Sequence, residues 1–159
     1  MMKFINRDEE LNFLERKYAS KEAELIILYG RRRIGKTELI FNFIKNKKAI
    51  YFLGRLESRA ETLKRFNNTL MEFFKDMELA RRPLRSWDEI FDYLGEKIKN
   101  KLVVIFDEFP FIVEKFPEIV SILQDKWDSK LRKTNAYFVR FINRNDGKAR
   151  TLLQIPALR

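Results

Sequence analysis

The short apolar run Glu24-Leu25-Ile26-Ile27-Leu28-Tyr29 stops at Gly30, and a helical pattern begins at Lys36, with Leu39, Ile40, Phe43 and Ile44 spaced for one face. A buried strand that passes through a glycine turn straight into a helix is the opening half of a parallel crossover unit. Three further apolar runs extend the pattern: Ala49 to Leu53, closed by Gly54; Leu102 to Phe106, stopped by Asp107-Glu108; and Ala136 to Val139. The stretches between them have helical character. Ser58-Arg59-Ala60-Glu61 is a capping box ahead of Leu63, Phe66, Leu70, Phe73 and Met77, which predicts one long amphipathic helix. After a break at Pro83, Ser86-Trp87-Asp88-Glu89 repeats the cap, with Ile90, Leu94 and Ile98 behind it. A helix is also expected from about Pro117 to Arg132, and Asn6 with Glu9 reads as the cap of a first helix through Leu11, Leu14 and Tyr18. Phe109-Pro110-Phe111 is expected to end the third strand and pack locally. Short apolar strands alternating with amphipathic helices specify an α/β fold, a three-layer α/β/α arrangement around a parallel sheet of about four strands. In such sheets ligands sit beyond the carboxyl ends of the strands.

The turn after the first run reads Gly30-Arg31-Arg32-Arg33-Ile34-Gly35-Lys36-Thr37, a full match to Gly-x4-Gly-Lys-Ser/Thr between a predicted strand and a predicted helix. A loop that wraps its N–H groups around phosphate oxygens needs glycine where side chains would block the approach, and the helix start adds unpaired donors. Lys36 can bridge the β- and γ-phosphates, and the Thr37 hydroxyl can ligate Mg²⁺. The candidate phosphate-binding segment runs through Gly30, Arg31, Arg32, Arg33, Ile34, Gly35, Lys36, Thr37 and Glu38. For the three arginines, phosphate neutralisation, a partner contact and plain solvation all fit the sequence.

Asp107-Glu108 completes the pattern about 70 residues downstream. A carboxylate at the end of a buried strand beside the phosphate-loop strand can hold Mg²⁺, mostly through its waters. The following glutamate can polarise the water that attacks the γ-phosphate. Asp107 is therefore the second candidate metal ligand with Thr37, and Glu108 with Lys36 forms the candidate catalytic pair.

Composition narrows the alternatives. The 159 residues contain neither Cys nor His, which excludes thiol nucleophiles, thiolate zinc sites, imidazole bases and His-metal sites. The 33 Lys+Arg against 23 Asp+Glu give a formal charge of +10, which suits a phosphate-bearing partner, nucleotide or nucleic acid, but equally a solvated basic surface. No apolar stretch is long enough to cross a bilayer, and the opening residues turn polar too soon for a secretory signal, so no membrane association and a cytoplasmic location are expected.

Four stretches carry a family resemblance: Phe4-Ile5-Asn6-Arg7-Asp8-Glu9-Glu10-Leu11, Tyr29 through Leu39, Phe106-Asp107-Glu108-Phe109-Pro110, and Leu123-Gln124-Asp125-Lys126-Trp127-Asp128. With them the chain, from Phe4 to about Val139, resembles the archaeal ATPase family, P-loop ATPases of the signal-transducing STAND group related to AAA+ proteins. The resemblance implies a P-loop NTPase fold, ATP as the nucleotide with Mg²⁺, and hydrolysis of ATP to ADP. It also implies that Phe4, Asn6 and Arg7 lie near the adenine; capping of the first helix, with Phe4 as its anchor, accounts for the same residues. The preference for ATP over GTP comes from the resemblance alone.

The sequence departs from that pattern after the fourth strand. Family members continue with a Gly-Ser turn whose polar side chain senses the γ-phosphate, a fifth strand and a helical lid. Here Val139 is followed by Arg140-Phe141-Ile142-Asn143-Arg144-Asn145-Asp146-Gly147-Lys148 and the remainder to Arg159. Codons for Arg140 to Lys148 exist that, read one base later, encode Gly-Ser-Leu-Ile-Gly-Met-Met-Glu. The expectation is an ATPase core over residues 1–139 and an out-of-frame tail over 140–159, with fifth strand and lid missing; the gene sequence tests it. Three functions are thus carried forward. One is Mg²⁺-dependent ATP hydrolysis coupled to a conformational switch, and one is nucleotide binding without useful turnover. The third, a basic nucleic-acid binder, rests on charge alone. The downstream protein or nucleic-acid partner and a homo-oligomeric state stay open.

Overall fold

The computed structural model describes residues 3–30 and 36–143. The first helix, α1, spans Lys3–Ala19, followed by β1 (Glu24–Gly30), α2 (Lys36–Ile44) and β2 (Ala49–Leu53). Three helices, α3 (Arg59–Phe74), α4 (Glu78–Arg81) and α5 (Trp87–Lys97), lead to β3 (Leu102–Asp107). Then α6 (Phe109–Lys115), α7 (Ile119–Ser129) and a 3₁₀ turn (Leu131–Lys133) lead to β4 (Ala136–Asn143). The four strands form one parallel sheet in the order β1-β4-β3-β2. This is the expected α/β fold with a sheet of four strands.

Strand alternation sorts the core into two layers. Val103, Ile105, Tyr137 and Val139 face α1 and α2, where Leu14, Leu39, Ile40 and Phe43 meet them. Leu102, Val104, Phe106 and Phe138 face the other helices, against Phe66, Leu70, Trp87, Phe91, Phe109 and Trp127. The second layer is dominated by rings: Trp87 alone lies 5.1 Å from Phe66, 5.6 Å from Phe91 and 5.7 Å from Phe116, centroid to centroid. The pairs with Phe66 and Phe116 are edge-on, and such pairs add to the area they bury. Every residue of β3 is buried, as its unbroken apolar run requires of a strand covered on both faces. The Tyr137 hydroxyl, otherwise stranded in the core, donates to the Leu14 carbonyl at 2.7 Å and ties α1 to the sheet.

Both predicted serine caps form. The Ser58 hydroxyl accepts from the Glu61 N–H at 3.1 Å, and that of Ser86 from the Glu89 N–H at 3.2 Å. Glu89 also reaches back to the Arg85 N–H at 2.6 Å.

Six expectations are corrected. Helix α1 begins at Lys3, so Asn6 lies inside it rather than capping it; positions 4, 11, 14 and 18 already have helical spacing, and the helix follows that stripe. Helix α3 stops at Phe74 because Lys75 turns left-handed (φ 55°, ψ 38°) and donates its N–H to Met71; Met77 is left outside it, 69% exposed. Phe109-Pro110-Phe111 opens α6 instead of merely closing β3, since proline costs nothing in a first turn whose N–H groups have no helical partner. The helix expected from Pro117 to Arg132 is α7 plus a separate 3₁₀ turn. The fourth strand, expected over 136–139, extends to Asn143, and Arg140 is buried. Finally, β3 is not beside β1: β4 lies between them.

Candidate functional site

Helix α2 leaves the carboxyl end of β1 for one face of the sheet, whereas α3 and α6 leave β2 and β3 for the other. Doubly wound sheets take ligands beyond the carboxyl ends of their strands, and Gly30, Asp107 and Glu108 lie at that end, with Lys36, Thr37 and Glu38 opening the helix that follows β1. Gly30 ends β1, in register with Asn143. Lys36, Thr37 and Glu38 are the first three residues of α2, with Thr37 and Glu38 exposed. Arg31, Arg32, Arg33, Ile34 and Gly35 lie outside the described residues. Phe4, Asn6 and Arg7 belong to α1, which packs on the same face as α2.

Asp107 ends β3 and is 3% exposed. Because Val103 and Ile105 face α1 and α2, the next residue in that alternation, Asp107, points to the side of the sheet from which Thr37 starts its helix. Two strand spacings, about 10 Å, separate β1 from β3. That gap is one a nucleotide's phosphates and a cation would span, not one that two side chains close directly.

The turn at Asp107-Glu108 is held from several sides. The Tyr51 hydroxyl donates to Asp107 Oδ2 at 2.6 Å, and the Glu108 N–H donates to Oδ1 at 2.9 Å. The Gly54 N–H donates to the Asp107 carbonyl at 2.8 Å, extending the β2–β3 ladder by one bond. Glu108 itself adopts a left-handed conformation (φ 53°, ψ 44°), a costly one for a residue with a Cβ, of the kind that clusters at working sites. Its carbonyl accepts from the Phe111 N–H at 3.0 Å, which fixes the turn to the start of α6. Gly54 is required here for space: a Cβ on it would lie 2.4 Å from the Glu108 carbonyl oxygen and 2.9 Å from Ile112. Burial, followed by the hydrogen bond to Asp107, pushes the Tyr51 hydroxyl far above the usual phenol range, so it remains a donor.

Sequence reasoning named Asp107 and Glu108 as candidates and did not name Tyr51 or the packing role of Gly54. The glycine closing the second apolar run was visible, but its contact with Glu108 depends on the β2–β3 register. Among the described residues no group of three metal-ligating side chains gathers, and no helix is long and apolar enough to cross a membrane. A cation carried in with phosphates needs no such cage. One or two carboxylates suffice, and the donor set offered by Asp107 and Thr37 is all-oxygen, which fits Mg²⁺.

The fold is an α/β fold built on a four-stranded parallel sheet. Residues 4–154 match the model of an ATPase domain found predominantly in Archaea, and the chain belongs to that family. It is 33% identical over 136 residues to the uncharacterized protein MJECL04 of Methanocaldococcus jannaschii, covering 86% of this chain and 28% of that protein. Over 45 residues it is 67% identical to the uncharacterized ATP-binding protein MJ0423 of the same organism, covering 28% of this chain and 76% of that one. Among solved structures it is similar to the Walker-type ATPase PABY2304 of Pyrococcus abyssi, with a TM-score of 0.60 and 25% identity over 85% of this chain and 44% of that one. The chain thus spans just over a quarter of the length of MJECL04 and under half that of PABY2304.

Proposed function

We propose that the chain binds ATP at the carboxyl end of its sheet and, with Mg²⁺, hydrolyses the β–γ phosphoanhydride to ADP, driving a conformational switch. The observation that carries this reading is the buried carboxylate of Asp107, aimed from the end of β3 to the face where the Gly-x4-Gly-Lys-Thr segment enters α2. Gly30, Arg31 to Arg33, Ile34 and Gly35 wrap the phosphates through main-chain N–H groups, and the start of α2 at Lys36, Thr37 and Glu38 adds its dipole. Lys36 neutralises charge on the β- and γ-phosphates. Thr37 and Asp107 are the residues that would hold Mg²⁺, which when bound neutralises developing charge on the phosphate oxygens. Glu108 accepts the proton of the attacking water. Phe4, Asn6 and Arg7, on the helix that shares a face with α2, line the adenine end. Membership in the ATPase-domain family and likeness to a relative named ATP-binding support the nucleotide, and the STAND and AAA+ affiliation belongs to the same proposal.

Titration of the whole chain with a fluorescent ATP analogue, with and without Mg²⁺, tests the reading, together with phosphate release from ATP. Saturable, Mg²⁺-assisted binding that is lost in Lys36→Ala is expected. Binding that survives this substitution and weakens steeply with salt would instead mark a general basic surface.

A further inference from the structure

Tyr51 is not a residue that the nucleotide chemistry calls for, yet its hydroxyl is spent on Asp107. The contact crosses strands. Tyr51 is in register with Ile105, so Asp107 is its diagonal neighbour on the same face of the sheet. A tyrosine spans that diagonal, whereas a serine or threonine would not. On its other side the Tyr51 ring stands 5.6 Å from the ring of Phe41, at 42° between planes. Phe41 lies in α2, one turn beyond Thr37. Tyr51 therefore stands between the helix that starts at the phosphate segment and the strand that ends in the acidic pair. Phenylalanine would serve equally well if the site needed only a ring there; the hydroxyl is what reaches the buried carboxylate.

We propose that Tyr51 is a positioning residue of the nucleotide site: its hydroxyl holds the Asp107 carboxylate in the orientation that a divalent cation bound with the triphosphate requires. This rests on the reading of Asp107 as a metal ligand and extends it by assigning the ligand's orientation to a side chain on a neighbouring strand. One hydrogen bond on Oδ2 and one on Oδ1 together fix the rotation of the carboxylate plane. Partners of this kind, which touch the ligand and not the metal, hold much of a site's affinity. Removal of the hydroxyl leaves the main-chain bond to Oδ1 in place and takes away the hold on Oδ2 that comes from β2.

The test uses the whole chain with a non-hydrolysable ATP analogue and Mn²⁺ as the probe, read by electron paramagnetic resonance. Tyr51→Phe, which keeps the ring beside Phe41, is expected to weaken Mn²⁺ in the nucleotide complex by about tenfold while nucleotide affinity without metal stays within about twofold. Mn²⁺ affinity equal to that of the unsubstituted chain, in a variant with an unchanged melting temperature, overturns the proposal. Should the variant not fold, the unsubstituted chain carries a second measurement, the near-ultraviolet tyrosine difference spectrum on adding Mn²⁺ to the nucleotide complex. A tyrosine signal that disappears in Asp107→Asn supports the proposal, and no tyrosine signal overturns it. If the unsubstituted chain takes nucleotide with no dependence on metal, the reading of Asp107 falls and Tyr51 with it. That result appears before any Tyr51 variant is compared, so the two failures are distinguishable.

Discussion

The two faces of the sheet are built for different tasks from the same strands. Toward α3, α5, α6 and α7 the core packs Trp87, Trp127 and seven phenylalanines. Toward α1 and α2 the described layer is thinner and mostly aliphatic, with Phe43 and Tyr137 as its buried rings. The candidate chemistry opens on the thinner side. Successive residues of one strand divide the work: Phe106 goes to the ring cluster, where it stacks on Phe66 at 7°, and Asp107 goes to the site. A strand end carrying a desolvated carboxylate is expensive, and a dense aromatic layer on the opposite face is a direct way to offset it.

If this division holds, substitutions on the two faces should separate stability from activity. The largest loss of stability is expected from Trp87→Ala, about 3–5 kcal/mol, read from urea unfolding, with nucleotide affinity intact in the fraction that remains folded. Glu108→Gln is the converse: phosphate release should fall by about a hundredfold or more, with binding and melting temperature unchanged. A Gln variant that turns over normally removes Glu108 from the mechanism. Gly54→Ala tests the seam between the two regions. The added methyl must displace the Glu108 carbonyl or Ile112, so a loss of about 2–3 kcal/mol is expected together with reduced turnover. A variant as stable as the parent would show that the 108 turn shifts at no cost.

The smallest expected effect concerns acid. The Arg65 guanidinium beside Glu57, and that of Arg59 beside Glu118, hold both carboxyls below their ordinary value of 4.5. Depressed values in the folded state mean that these pairs stabilise above the ordinary carboxylate range, and that their contribution disappears as pH falls through the lowered values. Urea midpoints taken from neutral pH downward should decline below about pH 4.5, and Glu57→Gln should flatten that decline. In both pairs the arginine belongs to α3, on the aromatic side, and the glutamate to the turn before α3 or α7, so Tyr51→Phe should leave the acid limb as it is.

Much of this architecture was legible from local signals. The run from Leu102 to Phe106 could only be a strand covered on both faces, and Ser58 and Ser86 announced their helices through caps that act within three residues. What escaped depends on tertiary pairing. The reach of Tyr51 to Asp107 links residues 56 apart and exists only in the β2–β3 register. The left-handed turn at Glu108 has no glycine or asparagine to mark it, and Phe109-Pro110 read as a stop although proline sits well in a first helical turn. Asn6 and Glu9 mimicked a cap within a helix already under way. For the candidate site the sequence offered residue types in order but not their geometry, because β4 had to be placed before the distance from β1 to β3 was known.

That placement has a consequence for synthesis. β4 is the last described element along the chain and a central strand in space, the only described neighbour of β1 and the second partner of β3. Until the ribosome has delivered residues 136–143, the growing polypeptide holds two separate pieces whose inner edges have nothing to bind. Chains arrested before residue 136 should therefore be cut readily by protease and those arrested well after residue 143 should resist it, because β4 is the keystone between two parts already made.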